Sequence, residues 1–353
     1  MSQWNKEQGW EFESSQPYEW KVDGNEKLNH AISLSKESDV IIVGSAPEIY
    51  VKERMKGTTG KITLFYSERI YKRGRWRCLS PRGIFQRINT YHRYHNHGLY
   101  MLCASAYTSS DLLLQGAYLG KCYKWGYFPE TMMYQIEDLM RMKETDKVKL
   151  LWCGRLIGWK HPEVVIKLAR LLKEQHIEFE LNIIGTGELD SFLHNMVKEE
   201  NLGHEVHLLG AMPSARVREY MECSNIFLST SDFREGWGAV VNEAMNSGCT
   251  VVVSHAVGAA PYLIHDKKNG LIYKNGDLQS LFHKVLLLIR DQELSKELGK
   301  NAYHTIISEW NATIAVERLL LLIDDLQRDG TSNRFLSGPC SKAQYIGNHW
   351  FKE

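Results

Sequence analysis

The chain has 353 residues, enough for two domains of ordinary size. Its 43 Lys and Arg against 42 Asp and Glu leave a formal charge of +1, which argues against nucleic-acid binding by bulk charge. At 24% charged and 43% hydrophobic, it is neither a disordered nor a low-complexity chain. No apolar run approaches the length of about 18 residues that a membrane-spanning helix needs. The opening MSQWNKEQGWEFESS has no basic start and no apolar core, so it does not read as a signal peptide. Seven cysteines stand at 78, 103, 122, 153, 223, 249 and 340. The count is odd and no pair is spaced C-x-x-C, which predicts buried free thiols in a reducing cytoplasm.

Short β-branched runs alternate with helical patterns, which predicts an α/β chain with parallel sheets. Residues 39–45 (DVIIVGS) read as a buried strand, 61–67 (KITLFYS) as a second, 100–106 (YMLCASA) as a third and 121–125 as a weaker fourth. The polar stretch 140–149 (MRMKETDKVK) reads as a linker. A cleaner cycle follows, with strands at 149–153, 179–184, 206–209, 225–230 and 250–254. Helices are predicted at 162–173, 188–200, 214–221 and 239–246, and two more at 278–290 and 311–326 close the cycle. Pro162 suits a first helical turn, and positions 164, 165, 168, 171 and 172 share one face.

Three segments carry candidate chemistry. In 229–248 (STSDFREGWGAVVNEAMNSG) a strand enters a loop holding Glu235-Gly236-Trp237-Gly238, and a helix follows. Paired glycines allow close backbone approach, and a helix N-terminus offers unpaired N–H groups to a diphosphate. Glu243 reads either as a ligand-facing carboxylate or as a capping or salt-bridging one. In 150–162 (LLWCGRLIGWKHP), Gly154 and Arg155 follow a strand, and Lys160 precedes a helix. Two cations at the carboxyl end of a strand fit phosphate oxygens. In 183–189 (IIGTGEL), Gly185 and Gly187 form a G-x-G turn. Asp190 replaces the third glycine of a dinucleotide fingerprint, so a nicotinamide site is disfavoured.

Taken in order, G-R-(x)4-K, I-G-x-G-E, the Glu pair of E-G-W-G-A-V-V-N-E-A-M and S-G-C-T-V-V-V-S-H-A-V-G-A-A-P resemble a known family. They look like the donor domain of retaining glycosyltransferases of family 4, the group 1 glycosyl transferases. The resemblance implies a GT-B fold, two Rossmann-like doubly wound domains facing across a cleft. It implies a short N-terminal acceptor-side domain at 1–145, a donor domain at 146–326 and a tail at 327–353 that crosses back, with Trp350 and Phe351 packed there. It assigns Arg155 and Lys160 to the donor diphosphate, Glu235 to the donor sugar, and Gly236, Trp237 and Gly238 to the backbone lining sugar and phosphates. Glu243 falls to the ribose and the turn from Gly210 to Met212 to the base; Gly154, Gly185 and Gly187 line the same site. Arg155, Lys160 and Glu235 are the catalytic candidates.

The implied reaction moves a hexose from a nucleoside-diphosphate sugar, most often UDP-linked, to a glycan or lipid-linked acceptor in bacterial surface-polysaccharide synthesis. No D-x-D pair occurs, and no metal or other cofactor is expected. His92, His95 and His97 cannot share one helical face, so a zinc site is disfavoured. The resemblance thins before residue 145, where the sequence pattern predicts a domain lacking the first strand–helix–strand unit of the family. Ser67, Glu68 and Arg69 stand where the family often has a His, and are acceptor-side candidates or a strand-end salt bridge. The run 69–93 is basic and aromatic with no acid. It reads either as a contact with anionic lipid or a pyrophosphate-linked acceptor, peripheral at the inner membrane, or as a solvated face. A non-catalytic nucleotide-sugar-binding protein is the alternative to an enzyme.

Overall fold

The computed structural model describes residues 22, 24–57, 60–90 and 98–352. In the first half, α1 (Asn25–Glu37), β1 (Val40–Val43), α2 (Glu48–Met55), β2 (Ile62–Ser67), α3 (Pro81–Thr90), β3 (Gly98–Cys103), α4 (Thr108–Leu113) and β4 (Cys122–Lys124) follow one another. Their strands pair in parallel in the order β1-β2-β3-β4. Each strand adds on the same side, so this sheet winds one way only among the described residues. The expectation of a buried strand at 39–45 is corrected. Strand β1 lies at the sheet edge, and its Ile42 is 53% exposed.

The second half begins with α5 (Ile136–Arg141) and β5 (Val148–Cys153). It continues through α6 (Glu163–Glu174), β6 (Phe179–Ile184), α7 (Asp190–Glu199), β7 (Val206–Leu208), α8 (Ser214–Cys223), β8 (Ile226–Ser229), α9 (Ala239–Asn246) and β9 (Thr250–Ser254). Helix α10 (Ala260–Leu263), β10 (Leu271–Tyr273), α11 (Leu278–Arg290) and α12 (Gln292–Ser308) complete it. The strand order β10-β9-β8-β5-β6-β7 is doubly wound. Winding runs outward from β5 through β6, then restarts at β8 on the other side. Ligands in such sheets collect in the crevice above the two central strands. Successive residues of a strand face opposite sides. Leu150 and Trp152 therefore join Leu168 and Leu172 in one core, while Leu151 joins Trp237 and Trp310 in the other.

Sequence patterning missed α12 and β10, and it placed the last helix in the wrong domain. Helix α13 (Ala312–Asp329) turns Leu319, Leu322 and Leu326 onto Ile62, Leu64, Tyr100 and Leu102 of the first sheet. The stretch 140–149 is also not a free linker. Lys143 is buried, and its Nζ donates to the carbonyls of Met221, Glu222 and Ser224 at 2.8–2.9 Å, closing the C-terminus of α8. All seven cysteines are free thiols.

Residues after α13 run back along the first sheet. Cys340 and Ala343 donate their N–H groups to Lys124 and Cys122, and Ser341 accepts from Lys124. At the seam between the sheets, Trp350 Nε1 donates to the Tyr107 hydroxyl at 2.8 Å, and that hydroxyl donates to the carbonyl of His255. Phe351 lies with its ring 6.1 Å from that of His255.

Trp237 is fully buried in this seam, with its Nε1 on Asn242 Oδ1 at 2.8 Å and its ring 5.8 Å from Trp310. Gly126, in the segment leaving β4, lies against that ring, and a Cβ there would stand 2.5 Å from Trp237 Cζ2. Two fused rings on a close-packed core cannot yield, so Gly126→Ala should destabilise the chain by about 1–3 kcal/mol. Urea unfolding of the variant checks this, and an unchanged midpoint would contradict the packing.

Candidate active site

The crevice above β5 and β8 gathers the sequence candidates. After β5 the chain passes Gly154 and Arg155 into a short 3-10 turn, Gly158–Lys160. Lys160 Nζ reaches across to Glu235 Oε2 at 2.7 Å, and Ser231 Oγ donates to the same oxygen at 3.1 Å. Both charged side chains are only 16% exposed. A pair so desolvated costs free energy unless each partner keeps its counter-charge, so neither readily turns away alone. Arg155 is exposed at the rim, with its guanidinium 5.5 Å from the Trp159 ring.

The loop after β8 delivers Gly236, Trp237 and Gly238 to the N-terminus of α9. Gly238 has φ 91°, a left-handed conformation that admits glycine without strain, and it caps the helix. The first turn of α9 carries no acidic side chain, so its positive end is not neutralised from within. One turn further, Glu243 makes no side-chain hydrogen bond among the described residues. Burial pushes its carboxyl up, and Arg218 opposes that. The Cys153 thiol beneath is pushed up to about 12 by burial, with Glu243 adding and Lys160 opposing, which makes it an unreactive lining group.

Gly185 and Gly187 lie side by side with the β5 loop. A Cβ at 185 would overlap the Gly154 carbonyl oxygen, and one at 187 the Leu156 carbonyl. Gly185 also donates its N–H to Gly210 at 2.8 Å, and Met212 lies half-buried against the second core. These glycines hold the loops together; they form the floor under the crevice. Trp237 contributes backbone alone, because its ring is buried in the seam.

The first domain reaches the site through Glu68. Its carboxylate lies against Gly236, where a Cβ would overlap it. Tyr127 donates to Glu68 Oε1 at 2.8 Å, and Lys72 pairs with Oε2. Lys72 belongs to the basic run 69–93, but nothing in that run's spacing pairs it, or Tyr127, with Glu68. Ser67 Oγ donates to the Glu68 carbonyl at 2.8 Å. Arg69 does not face Glu235. Its side chain is 1% exposed, pairs with Asp111 at 3.4 Å and donates to Asn348 Oδ1 at 2.9 Å, because it turns into the seam rather than toward Glu235. His92, His95 and His97 lie outside the described residues. Among those described, no three His, Cys, Asp or Glu side chains converge as metal ligands.

Sequence reasoning also missed His161 and Asp232, which tie the two loops. His161 Nδ1 is 2.9 Å from Glu163 Oε1, and Nε2 is 3.6 Å from Asp232 Oδ2. Asp232 N–H donates to the Trp159 carbonyl at 2.9 Å, and Thr230 Oγ1 to that of Lys160 at 2.6 Å. His161 takes a left-handed φ of 50° to do this. The Asp232 and Glu163 carboxylates raise the imidazole to about 9, against the opposing effect of burial. A folded value above the unfolded one means that the charged ring stabilises fully below about pH 6.5. The stability gap between wild type and His161→Gln should be widest below about pH 6.5 and shrink as pH rises through about 9. Thermal unfolding across that range, with the imidazole shift followed by NMR, checks it; a gap that grows with pH would refute the clamp.

With the geometry in place, comparison with known proteins adds the following. Residues 140–305 match the family model described as glycosyl transferases group 1. The amylovoran biosynthesis glycosyltransferase AmsK of Erwinia amylovora is 28% identical over 208 residues, 58% of this chain and 50% of that protein. The poly(ribitol-phosphate) alpha-N-acetylglucosaminyltransferase of Staphylococcus aureus is 26% identical over 48% of this chain and 34% of its own length. The chain thus spans half the length or less of these curated relatives. HepE of Anabaena, solved with UDP, superposes with a TM-score of 0.66 at 16% identity, covering 85% of this chain and 82% of that one. TarM of S. aureus gives 0.63 at 17% identity, covering 84% of this chain and 58% of that one. The fold is GT-B, and residues 140–305, just under half of the chain, resemble the group 1 glycosyl transferases.

Proposed function

We propose that this chain is a retaining glycosyltransferase of family 4 that moves a hexose from a UDP-linked sugar to a glycan or lipid-linked acceptor in surface-polysaccharide synthesis. The observation that carries the reading is the Lys160–Glu235 pair, set across the central crevice at the foot of α9. Breaking a sugar–phosphate bond leaves negative charge on the departing diphosphate. Preorganised cations and backbone N–H groups there lower the barrier without reorganising. Lys160, Arg155 and the uncompensated N-terminus of α9 face that charge. Glu235, held by Lys160 and Ser231, meets hydroxyls of the donor sugar. Glu243 is desolvated and has no hydrogen-bond donor of its own, so it suits ribose hydroxyls. The match over 140–305 and the names of the relatives support the class of reaction.

Two further parts belong to the same reading. The cations and helix terminus supply what a divalent ion would, so turnover should survive EDTA; loss on chelation with rescue by Mn²⁺ or Mg²⁺ would overturn this. The first domain also exposes Trp76 (71%), Leu79 and Phe85 beside Arg73 and Arg77, which suits a peripheral contact with an anionic membrane surface.

The two glutamates give the sharper test, in an assay that follows UDP release from UDP-sugars and titrates bare UDP. Glu243→Gln should weaken UDP and every UDP-sugar alike, by about 1.5–3 kcal/mol, because it removes charge-assisted bonds to ribose. Glu235→Gln should leave UDP affinity nearly unchanged and lower turnover. Equal weakening of bare UDP by both variants would overturn the division of roles. Saturable UDP binding without any turnover in the wild type would favour a non-catalytic binder.

A further inference from the structure

A second cleft opens beside the donor crevice, on the seam between the domains. Arg69, Tyr71, Lys72, Arg73 and Gly74 of the first domain line one side. Asp232, Phe233, Arg234 and Asn275 of the second line the other, and Asn348 of the returning tail closes it. None of Arg155, Lys160 or Glu235 lines it, yet the two spaces are neighbours: Lys72 pairs with Glu68, whose carboxylate rests on Gly236.

Four cations line the cleft against one carboxylate. That carboxylate, Asp232, is already engaged by His161 at 3.6 Å and Arg234 at 3.8 Å. Arg73 is exposed and has no partner among the described residues. Arg69 is the decisive group. Its guanidinium lies between the rings of Tyr107 and Phe233, 4.8 and 5.3 Å from their centroids. Asn348 accepts from Nη2 and Asp111 lies 3.4 Å from Nε, yet neither Nε nor Nη1 has a hydrogen-bond partner among the described residues. A buried charged donor left unpaired costs free energy, and an arriving anion relieves that cost. The amide-bearing walls are fixed through one residue: His255 Nδ1 accepts from the Asn275 N–H at 2.9 Å, and its Nε2 donates to the Asn348 carbonyl at 3.1 Å.

We propose that this cleft binds a phosphoryl group carried by the acceptor. The identity of the bearer rests on the glycosyl-transfer reading above; the anion site itself does not. A tetrahedral dianion fits a set of guanidinium groups converging from both domains, and its place next to Glu68 brings whatever bears it alongside the donor sugar.

The test is a binding titration at constant ionic strength, set with chloride. Inorganic phosphate, glucose 6-phosphate and vesicles of neutral phospholipid doped with farnesyl phosphate are run in parallel. Each is run against wild type, Arg73→Gln/Arg234→Gln and Lys160→Ala. Both arginines are exposed, so the double variant should fold, which its melting temperature verifies. Phosphate should bind wild type and Lys160→Ala alike, lose at least ten-fold in affinity for the double variant, and leave UDP affinity unchanged. Loss in the glucose 6-phosphate arm marks a soluble glycan bearer, and loss in the vesicle arm a lipid one. Equal binding to the double variant in every arm, no binding to wild type, or competition between phosphate and UDP would each overturn the proposal. The UDP titration reports separately on the donor reading, so failure of one is not mistaken for failure of the other.

Discussion

The structure turns on a place where two backbones meet without side chains between them. Gly258 lies so close to Gly236 that a Cβ at 258 would overlap the Gly236 carbonyl oxygen and crowd Ser105 Oγ. That closeness lets the Gly258 carbonyl accept from the N–H of Ala106, a backbone hydrogen bond of 2.9 Å from one domain to the other. The opposite side of Gly236 is covered by Glu68. The loop holding Gly236 is therefore gripped by main chain on one side and by a carboxylate of the first domain on the other. A larger residue at 258 would press on the backbone of Gly236 itself, whereas one at 236 would first displace the Glu68 carboxylate.

Charge in this seam is handled by pairing before any ligand arrives. Lys160 has Glu235, Lys72 has Glu68, and His161 has Asp232 and Glu163. Each pair joins elements that are distant in the fold or fixes a loop end, so the site is preorganised rather than assembled on binding. The cluster of Arg69, Arg75 and Asp111 is the exception: Arg69 Nε and Nη1, Arg75 Nε and Asp111 Oδ1 are buried without a hydrogen-bond partner among the described residues. Preorganised charge is also what a dissociating diphosphate needs, since dipoles already aimed at it do not have to rotate.

Much of the second sheet, and which residues stand at the crevice above it, was legible in the sequence, and for a physical reason. A parallel strand buried on both faces reads as a continuous apolar run, and a crevice residue follows its carboxyl end directly. Hence 149–153 led to Arg155 and Lys160, and 225–230 led to Glu235. The helix at 239–246 could be read because Gly238 and Gly248 bracket it. What failed were features set by distant contacts. Arg69 follows a strand, and only Asp111 and Asn348, far off in the chain, show that it turns into the seam rather than toward Glu235. Trp237 sits inside the motif, yet Trp310 and Gly126 claim its ring. The pairing of His161 with Asp232 spans two loops and leaves no spacing to find. The last helix was misplaced because Leu319, Leu322 and Leu326 mark an apolar face without saying which sheet will cover it.

That last helix fixes the order in which the molecule can become whole. One face of the first sheet, with Ile62, Leu64, Tyr100 and Leu102, is closed by α13, which lies more than two hundred positions later in the chain. During synthesis the early strands must wait, uncovered, until the second sheet has been made and the chain has returned. Loop closure over such separation is slow, and exposed apolar strands invite association with other chains in the meantime. Among the described residues, the first sheet is thus earliest in sequence and last to be sealed. The second domain needs to fold on schedule for that apolar face not to meet another chain first.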